Sequence, residues 1–320
     1  MDKKRILFIG VGFHEYDTYI IEHLKEKYDV WYFCSSEYIL KHPHIYSLSL
    51  KFPFFFKDFN NQLISNKIEE TKMCDFDIIF AIKGSNLSDE HLMTLKKHHP
   101  RAALKLYLWD EWMVMKNRDV LEKHFDKIFS FDSEDCKKYG FILRPLFYLE
   151  KYQAGSKNVD VSFIGGEHSG RLEAIINMKA ACLENGLSYC FIVSTRLTTM
   201  FKIMMVSIKK FLKNYGIMKF EGVSYSEFLR ITRESKTVLD IHYKNQSGLT
   251  MRTIEALAAG TKVITTNHHI KEYKNIPNSM YYVWDMRVNQ ALIDFIKAPV
   301  SDFEIDNSFS VDVFFEDILK

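Results

Sequence analysis

The strongest constraint on what this chain can fold into is a rhythm: short apolar runs, each stopping at a small or polar residue, with helical stretches between them. Residues 5–10 (RILFIG), 29–35 (DVWYFCS), 76–82 (FDIIFAI), 104–109 (LKLYLW) and 127–131 (KIFSF) are such runs, separated by stretches such as TYIIEHLKEKY and SDEHLMTLKKHH. This alternation is the pattern of parallel sheets covered by helices on both faces. After RPLFYLEKYQAGSKN it restarts, with 160–166 (DVSFIGG), 189–194 (YCFIVS), 217–220 (IMKF), 237–242 (TVLDIH), 262–266 (KVITT) and 281–284 (YYVW). The two starts, ILFIGVGFHE and VSFIGGEHSG, share a strand, a glycine turn and a polar helix start. An α/β chain of two Rossmann-like, doubly wound domains is therefore expected, 1–150 and 151–320, with 148–159 as the linker. Whether the last helix, 311–320, packs back on the first domain stays open. In open α/β sheets ligands bind beyond the carboxyl ends of the strands, so two such domains facing one another enclose a central cleft.

Composition agrees with that size of structure: 320 residues at 47% hydrophobic and 15% aromatic can bury two ordinary cores. Lys+Arg of 43 against Asp+Glu of 41 leaves a formal charge of +2, without the global basic field that dominates nucleic-acid binding, so no nucleic-acid partner is expected. The five cysteines are odd in number and form no CxxC pair, which argues against a disulfide framework or a zinc site and fits a reducing cytoplasm. No window approaches the length of a membrane span, and the apolar run after MDKKR is too short for a signal peptide. Any membrane contact is then expected from the cytoplasmic face.

The stretch SGLTMRTIEALAAGTKVITT, 247–266, carries the most chemistry. Met251, Ile254, Leu257 and Ala258 follow helical spacing and make a buried face, and Gly260 stands where a left-handed residue ends a helix. At the other end, Gly248 allows close backbone approach, and the first amides of the helix, near Thr250, make an anion site to which Arg252 adds a two-pronged partner for phosphate. Glu255, one turn further, would repel phosphate and is suited to the neutral hydroxyls of a ribose. A nucleoside diphosphate across a helix start satisfies all of these. A capped surface helix with an Arg252–Glu255 ion pair is the plainer alternative.

This segment resembles the donor-binding signature of GT-B glycosyltransferases, in particular those that build bacterial lipopolysaccharide and capsule. The resemblance extends through VSFIGGEHSGR, FEGVSYSEFLRITRESKTVLDIHY and the KEY after the signature, and is specific for the second half and loose for the first. It implies a nucleotide-sugar donor, UDP-linked, in the second domain, an acceptor glycan or lipid-linked acceptor at the first, Glu255 as the ribose ligand, no metal ion and no further cofactor. Many retaining members carry a second glutamate eight positions earlier, where this chain has Ser247, so retention is not implied. Direct displacement would need a base from the first domain; His14, Glu15, Asp17, Asp110 and Glu111 stand at strand ends. In the second domain Gly165, Gly166 and Arg171 form a glycine turn and helix start able to meet the diphosphate, and His242 ends a strand nearby.

Two other readings stay beside the enzyme. One is a non-catalytic nucleotide-sugar or glycan-binding protein of the same fold. The other is a nicotinamide-dependent oxidoreductase, suggested by Gly10 and Gly12 in GVGFHE, although Glu15 replaces the third glycine of the GxGxxG fingerprint. Residues 196–219 carry Arg196, Lys202, Lys209, Lys210, Lys213 and Lys219 and no acid, interleaved with large apolar residues. Such a stretch is either a peripheral membrane helix or a domain helix with an apolar core face. The run FPFFFKDF at 52–59 is read either as a second lipid contact or as a buried loop.

Overall fold

The computed structural model describes residues 3–12, 15–36, 53–150, 156–167, 170–195, 200–201, 204–205, 208, 212, 214–219 and 222–320, with the backbone alone at 53–58. The chain forms two compact units, Met1–Arg144 with Phe315–Lys320, and Pro145–Phe314.

In the first unit β1 (Arg5–Gly10), β2 (Asp29–Cys34), β3 (Ile78–Ile82), β4 (Ala103–Leu108), β5 (Lys127–Ser130) and β6 (Ile142–Leu143) make one sheet in the order β2-β1-β3-β4-β5-β6. Every pairing is parallel. Five of these strands coincide with the apolar runs to within two residues. The sixth has only two residues, both exposed, and so leaves no apolar signature. Leu7, Ile9, Ile79, Ala81, Leu104 and Leu106 form the buried centre, covered by leucines such as Leu92, Leu95 and Leu121 from the flanking helices. Residues 53–59 of FPFFFKDF belong to a helix, Pro53–Glu70, rather than a loop, and the last of them, Phe59, is exposed.

The second unit repeats the plan with β7 (Val159–Gly166), β8 (Tyr189–Ser194), β9 (Met218–Lys219), β10 (Ser235–Asp240), β11 (Lys262–Thr265) and β12 (Tyr281–Val283), in the order β12-β11-β10-β7-β8-β9. These pairings are parallel too. The direction in which strands are added reverses between β7 and β10, and in the first unit between β1 and β3. Such reversals open a crevice outside the carboxyl ends of the strands, where ligands of this architecture bind.

Buried lysines tie helices to both sheets. Lys105 on β4 donates from Nζ to the carbonyl of Ile318, 2.9 Å away, in the last helix (Val311–Leu319). Lys262 on β11 reaches the Ala298 carbonyl at 2.7 Å, just past the Gln290–Lys297 helix. Each supplies a cation where the helix dipole is negative and the last carbonyls lack partners. The last helix is thus shared: Phe314 lies in the second unit and Phe315–Lys320 in the first.

Candidate functional site

In the second unit the reversal point is built around Phe163, a ring with no exposed surface near the end of β7. The guanidinium of Arg252 lies 5.0 Å from the ring centroid and that of Arg171 5.9 Å. Arg252 donates from Nε and Nη2 to the carbonyl of Ile164 and from Nη1 to Asp240 at 2.8 Å. Arg171 donates from Nε and Nη2 to the carbonyl of Ile241 and from Nη1 to that of Gly166. A guanidinium has five N–H donors, and each arginine commits three of them in these bonds. Gly165 is what lets Arg252 in, since a Cβ there would meet Nη2 at 2.5 Å.

Asp240, at the end of β10, is an almost wholly buried carboxylate, and Glu167, just past β7, also attracts Arg171. Besides Arg252, Asp240 accepts from the hydroxyl of Thr253 at 2.9 Å. Burial alone would raise its pKa, but Arg252, Thr253 and Arg171 outweigh burial and hold it below the usual carboxylate range. One buried anion therefore faces two cations at the carboxyl ends of β7 and β10, with Glu167 acting on Arg171 from outside it. Burial, and after it the repulsion of Arg252, lowers the pKa of Arg171. His242, just beyond β10, has Nδ1 2.6 Å from the Thr266 hydroxyl, and burial favours its neutral form.

The helix start differs from its sequence reading in three respects. Thr250 is the N-cap of the Met251–Ala258 helix, its hydroxyl accepting from the Thr253 amide at 3.2 Å. Gly248 is buried and its backbone is not left-handed; its carbonyl accepts from the Gln246 and Asn267 amides, which shape the loop ahead of the helix. Glu255 neither pairs with Arg252 nor faces solvent. It has no exposed surface, and its Oε1 accepts from the Tyr225 hydroxyl at 2.7 Å. Burial raises its pKa to about 8, despite the bond from Tyr225 and the backbone of Leu149. A turn further along the helix, its side chain turns inward where Arg252 turns to the strand ends. Gly260 has the expected left-handed φ of 59°.

In the first unit the glycine turn after β1 is already filled. Asp17, 5% exposed, accepts from the Gly12 amide at 2.6 Å and from the Tyr32 hydroxyl at 2.8 Å. Its carboxylate thus sits where a pyrophosphate would lie in a dinucleotide site, which removes the ground for the oxidoreductase reading and gives Asp17 a structural partner set in place of a base's freedom. A Cβ on Gly10 would lie 2.0 Å from that carboxylate and 2.9 Å from the Tyr32 ring. Gly10→Ala is expected to expel Asp17 and lower stability by about 2–3 kcal/mol, as overpacking and an unsatisfied buried carboxyl do; urea denaturation measures this, and a loss below about 0.5 kcal/mol sinks it.

Asp110, just past β4, is about one-third exposed and lies 2.6 Å from Nζ of Lys83. Lys83, past β3, holds a left-handed φ of 65°, unusual for a residue with a Cβ, and Gly84 follows at 67°. Backbone strain of this kind costs on the order of 1–2 kcal/mol. Glu111 has its pKa raised by burial first, then by Asp132, Asp135 and Asp110. The Lys83–Asp110 pair was not legible in sequence, since IKGSN gives no sign that its lysine crosses to the next strand end. His14 lies outside the described residues. Among the described residues no group of three or more His, Cys, Asp or Glu could hold a metal ion.

No family model matches the chain, and no curated protein matches it. Solved structures do match over nearly their whole length. An α-glucosyltransferase in complex with UDP and a 13-mer DNA containing a central A:G mismatch superposes with a TM-score of 0.62 at 14% identity, covering 99% of this chain and 100% of that one. Anabaena Alr3699/HepE in complex with UDP-glucose gives 0.57 at 12%, covering 98% of each. The UDP-GlcNAc 2-epimerase from Methanocaldococcus jannaschii gives 0.57 at 12%, covering 99% and 98%. The two parallel six-stranded sheets with flanking helices are those of the GT-B fold. Transfer and epimerisation both occur on it, so the likeness speaks for the fold, and chemistry has to be argued from the site.

Proposed function

We propose that this protein is a glycosyltransferase that moves a sugar from a nucleoside-diphosphate donor, UDP-linked, to a growing bacterial surface glycan such as lipopolysaccharide, O-antigen or capsule. The observation that carries the reading is the convergence of Arg171 and Arg252 around Phe163 at the reversal point of the second sheet, with Asp240 as the buried counter-charge. Two guanidiniums with one buried carboxylate between them make a site that favours an anion, and the helix start at Met251 adds its dipole. The donors that the arginines do not spend on carbonyls and Asp240 bind the diphosphate. As the bond to the sugar breaks, negative charge grows on the departing phosphate, and fixed guanidiniums oppose it without reorganisation. This is also the basis for expecting no metal ion. For Glu255 to meet the ribose, a ribose hydroxyl has to reach a buried carboxylate that already accepts from Tyr225.

In this reading the first unit serves the acceptor, and Asp110 removes the proton from the attacking hydroxyl, with Lys83 holding the carboxylate in place. The UDP and UDP-glucose named for two of the structural neighbours support the choice of donor. Peripheral association with the inner face of the cytoplasmic membrane suits a lipid-linked acceptor.

The test is calorimetry with UDP and a panel of UDP-sugars, together with assay of transfer or slow sugar release. Arg252→Lys keeps the charge and loses the fork, and UDP affinity is expected to fall about 10- to 100-fold, the worth of one charge-assisted hydrogen bond. Asp110→Asn is expected to bind donor as before and to transfer about 100- to 10,000-fold more slowly. Undiminished UDP binding by Arg252→Lys removes the diphosphate site; undiminished transfer by Asp110→Asn moves the base elsewhere. A chain that binds UDP-sugars but never releases or transfers sugar is a binding protein instead.

A further inference from the structure

His242 stands just past β10, next to Ile241, whose carbonyl receives Arg171. The Thr266 hydroxyl accepts from the His242 backbone amide at 3.2 Å and lies 2.6 Å from Nδ1. Since that hydroxyl already accepts one bond, its own proton goes to Nδ1; a protonated Nδ1 would leave it without an acceptor among the described residues. An accepting Nδ1 puts the proton of the neutral imidazole on Nε2. Nε2 has no hydrogen-bond partner among the described residues, and the ring is only partly buried. Thr266 therefore fixes an N–H donor at the carboxyl end of β10.

The charges around the ring suit an anion. Asp240 favours the protonated ring, whereas His268 and His269, from the turn His268–Glu272, and Arg171, from the start of its helix, oppose it. Glu272 answers His269 at 2.7 Å. Burial acts in the same direction as the repulsion and leaves the ring neutral. We propose that His242 donates from Nε2 to a phosphate of the bound nucleoside diphosphate, as a third donor beside Arg171 and Arg252, and takes a second ring proton from solvent as that phosphate arrives. The assignment rests on the diphosphate site proposed above. A phosphate beside the ring offsets the repulsion of the neighbouring cations and favours the imidazolium. Thr266 accommodates both states, because its hydroxyl donates to a bare Nδ1 and accepts from a protonated one. Diphosphate binding is thus coupled to proton uptake, and the coupling grows as the departing phosphate gains charge.

The experiment is calorimetry of the full chain with UDP, from about pH 5.5 to about pH 8 and in buffers of different ionisation enthalpy, on the parent, His242→Asn and His242→Gln. Asparagine offers an oxygen near Nδ1 to the Thr266 hydroxyl and nothing at Nε2, so affinity is expected to fall about 10- to 100-fold. Glutamine offers an N–H near Nε2 and cannot titrate, so it should match the parent at the alkaline end and take up no proton of its own. Toward the acid end the parent is expected to gain about tenfold over His242→Gln, as a tenfold rise in the ring's affinity for a proton on binding requires. The phosphate of UDP titrates in the same range in every arm, so the difference between parent and His242→Gln isolates the ring. A parent that does not bind UDP overturns this assignment and the diphosphate site together. A parent that binds UDP, with His242→Asn binding as tightly or His242→Gln showing the same proton uptake, overturns the role of His242 and leaves the diphosphate site standing.

Discussion

Replacing Asp240 by alanine is expected to destabilise the second unit by about 3–5 kcal/mol, the cost of breaking a buried ion pair from one side. The carboxylate answers Arg252 at 2.8 Å with 1% of its own side chain exposed, and Arg171 stands on the same ring. Without it, two guanidiniums share the site with no buried anion between them. The hydroxyl of Thr253 loses its acceptor in the same step. Asp240→Asn keeps an acceptor for that hydroxyl and removes only the charge, so it should lose less stability while raising affinity for UDP. Guanidine denaturation and UDP calorimetry on the two variants check both halves. A loss under 1 kcal/mol in Asp240→Ala would show that Arg252 is held by the Ile164 carbonyl alone.

The second large effect is a pH dependence. Glu255 ionises near 4.5 in an unfolded chain and near 8 in the folded one, because the folded site has no solvent for its charge. Below pH 4.5 both states hold the proton and this carboxyl adds no pH dependence. Between 4.5 and 8 the folded state holds a proton that the unfolded state has released, so stability falls as pH rises, by up to about 1.4 kcal/mol per unit. Above 8 both are ionised and the slope ends. From pH 5 to pH 8 the loss attributable to Glu255 is about 3–4 kcal/mol. Glu255→Gln retains an oxygen for the Tyr225 hydroxyl and has nothing to ionise, so it should be more stable than the parent at pH 8 and close to it at pH 4.5. Denaturation curves at several pH values decide; parallel pH profiles for parent and variant would mean that Glu255 is ionised throughout.

These two carboxylates show where reading the sequence stops. The strands of both sheets were visible because a parallel strand covered on both faces is apolar along its length, and nothing else in a chain of this composition looks the same. The turn at Gly10 and the left-handed Gly260 were visible as well, since few residue types suit those conformations. Pairings between polar groups were not. Arg252 stands three residues from Glu255 and was as easily paired with it as with phosphate, but the register of β10 against β7 delivers Asp240 from twelve residues upstream. VLDIHY contains an acid at the end of an apolar run, which was the available sign. Asp17 likewise reads as a candidate base until the Gly12 amide and the Tyr32 hydroxyl are seen to hold it. Hydrophobic period reports which face is buried, whereas the partner of a buried charge depends on strand order.

The sharing of the last helix bears on how the chain is made. Phe315–Lys320 belong to the first unit, where Phe315 packs edge-on against Phe80 and the Ile318 carbonyl receives Lys105. During synthesis the sheet of that unit leaves the ribosome early, but its closing helix follows only after all of 145–314 has been translated. At ordinary elongation rates the delay is on the order of ten to thirty seconds, long compared with the collapse of a domain. For that interval Phe80 keeps the stacked ring of Phe8 but lacks that of Phe315, and Lys105 is without the Ile318 carbonyl. The sheet of the first unit is therefore made before the second unit and closed after it, leaving a window in which a chaperone, rather than residues 315–320, covers that face.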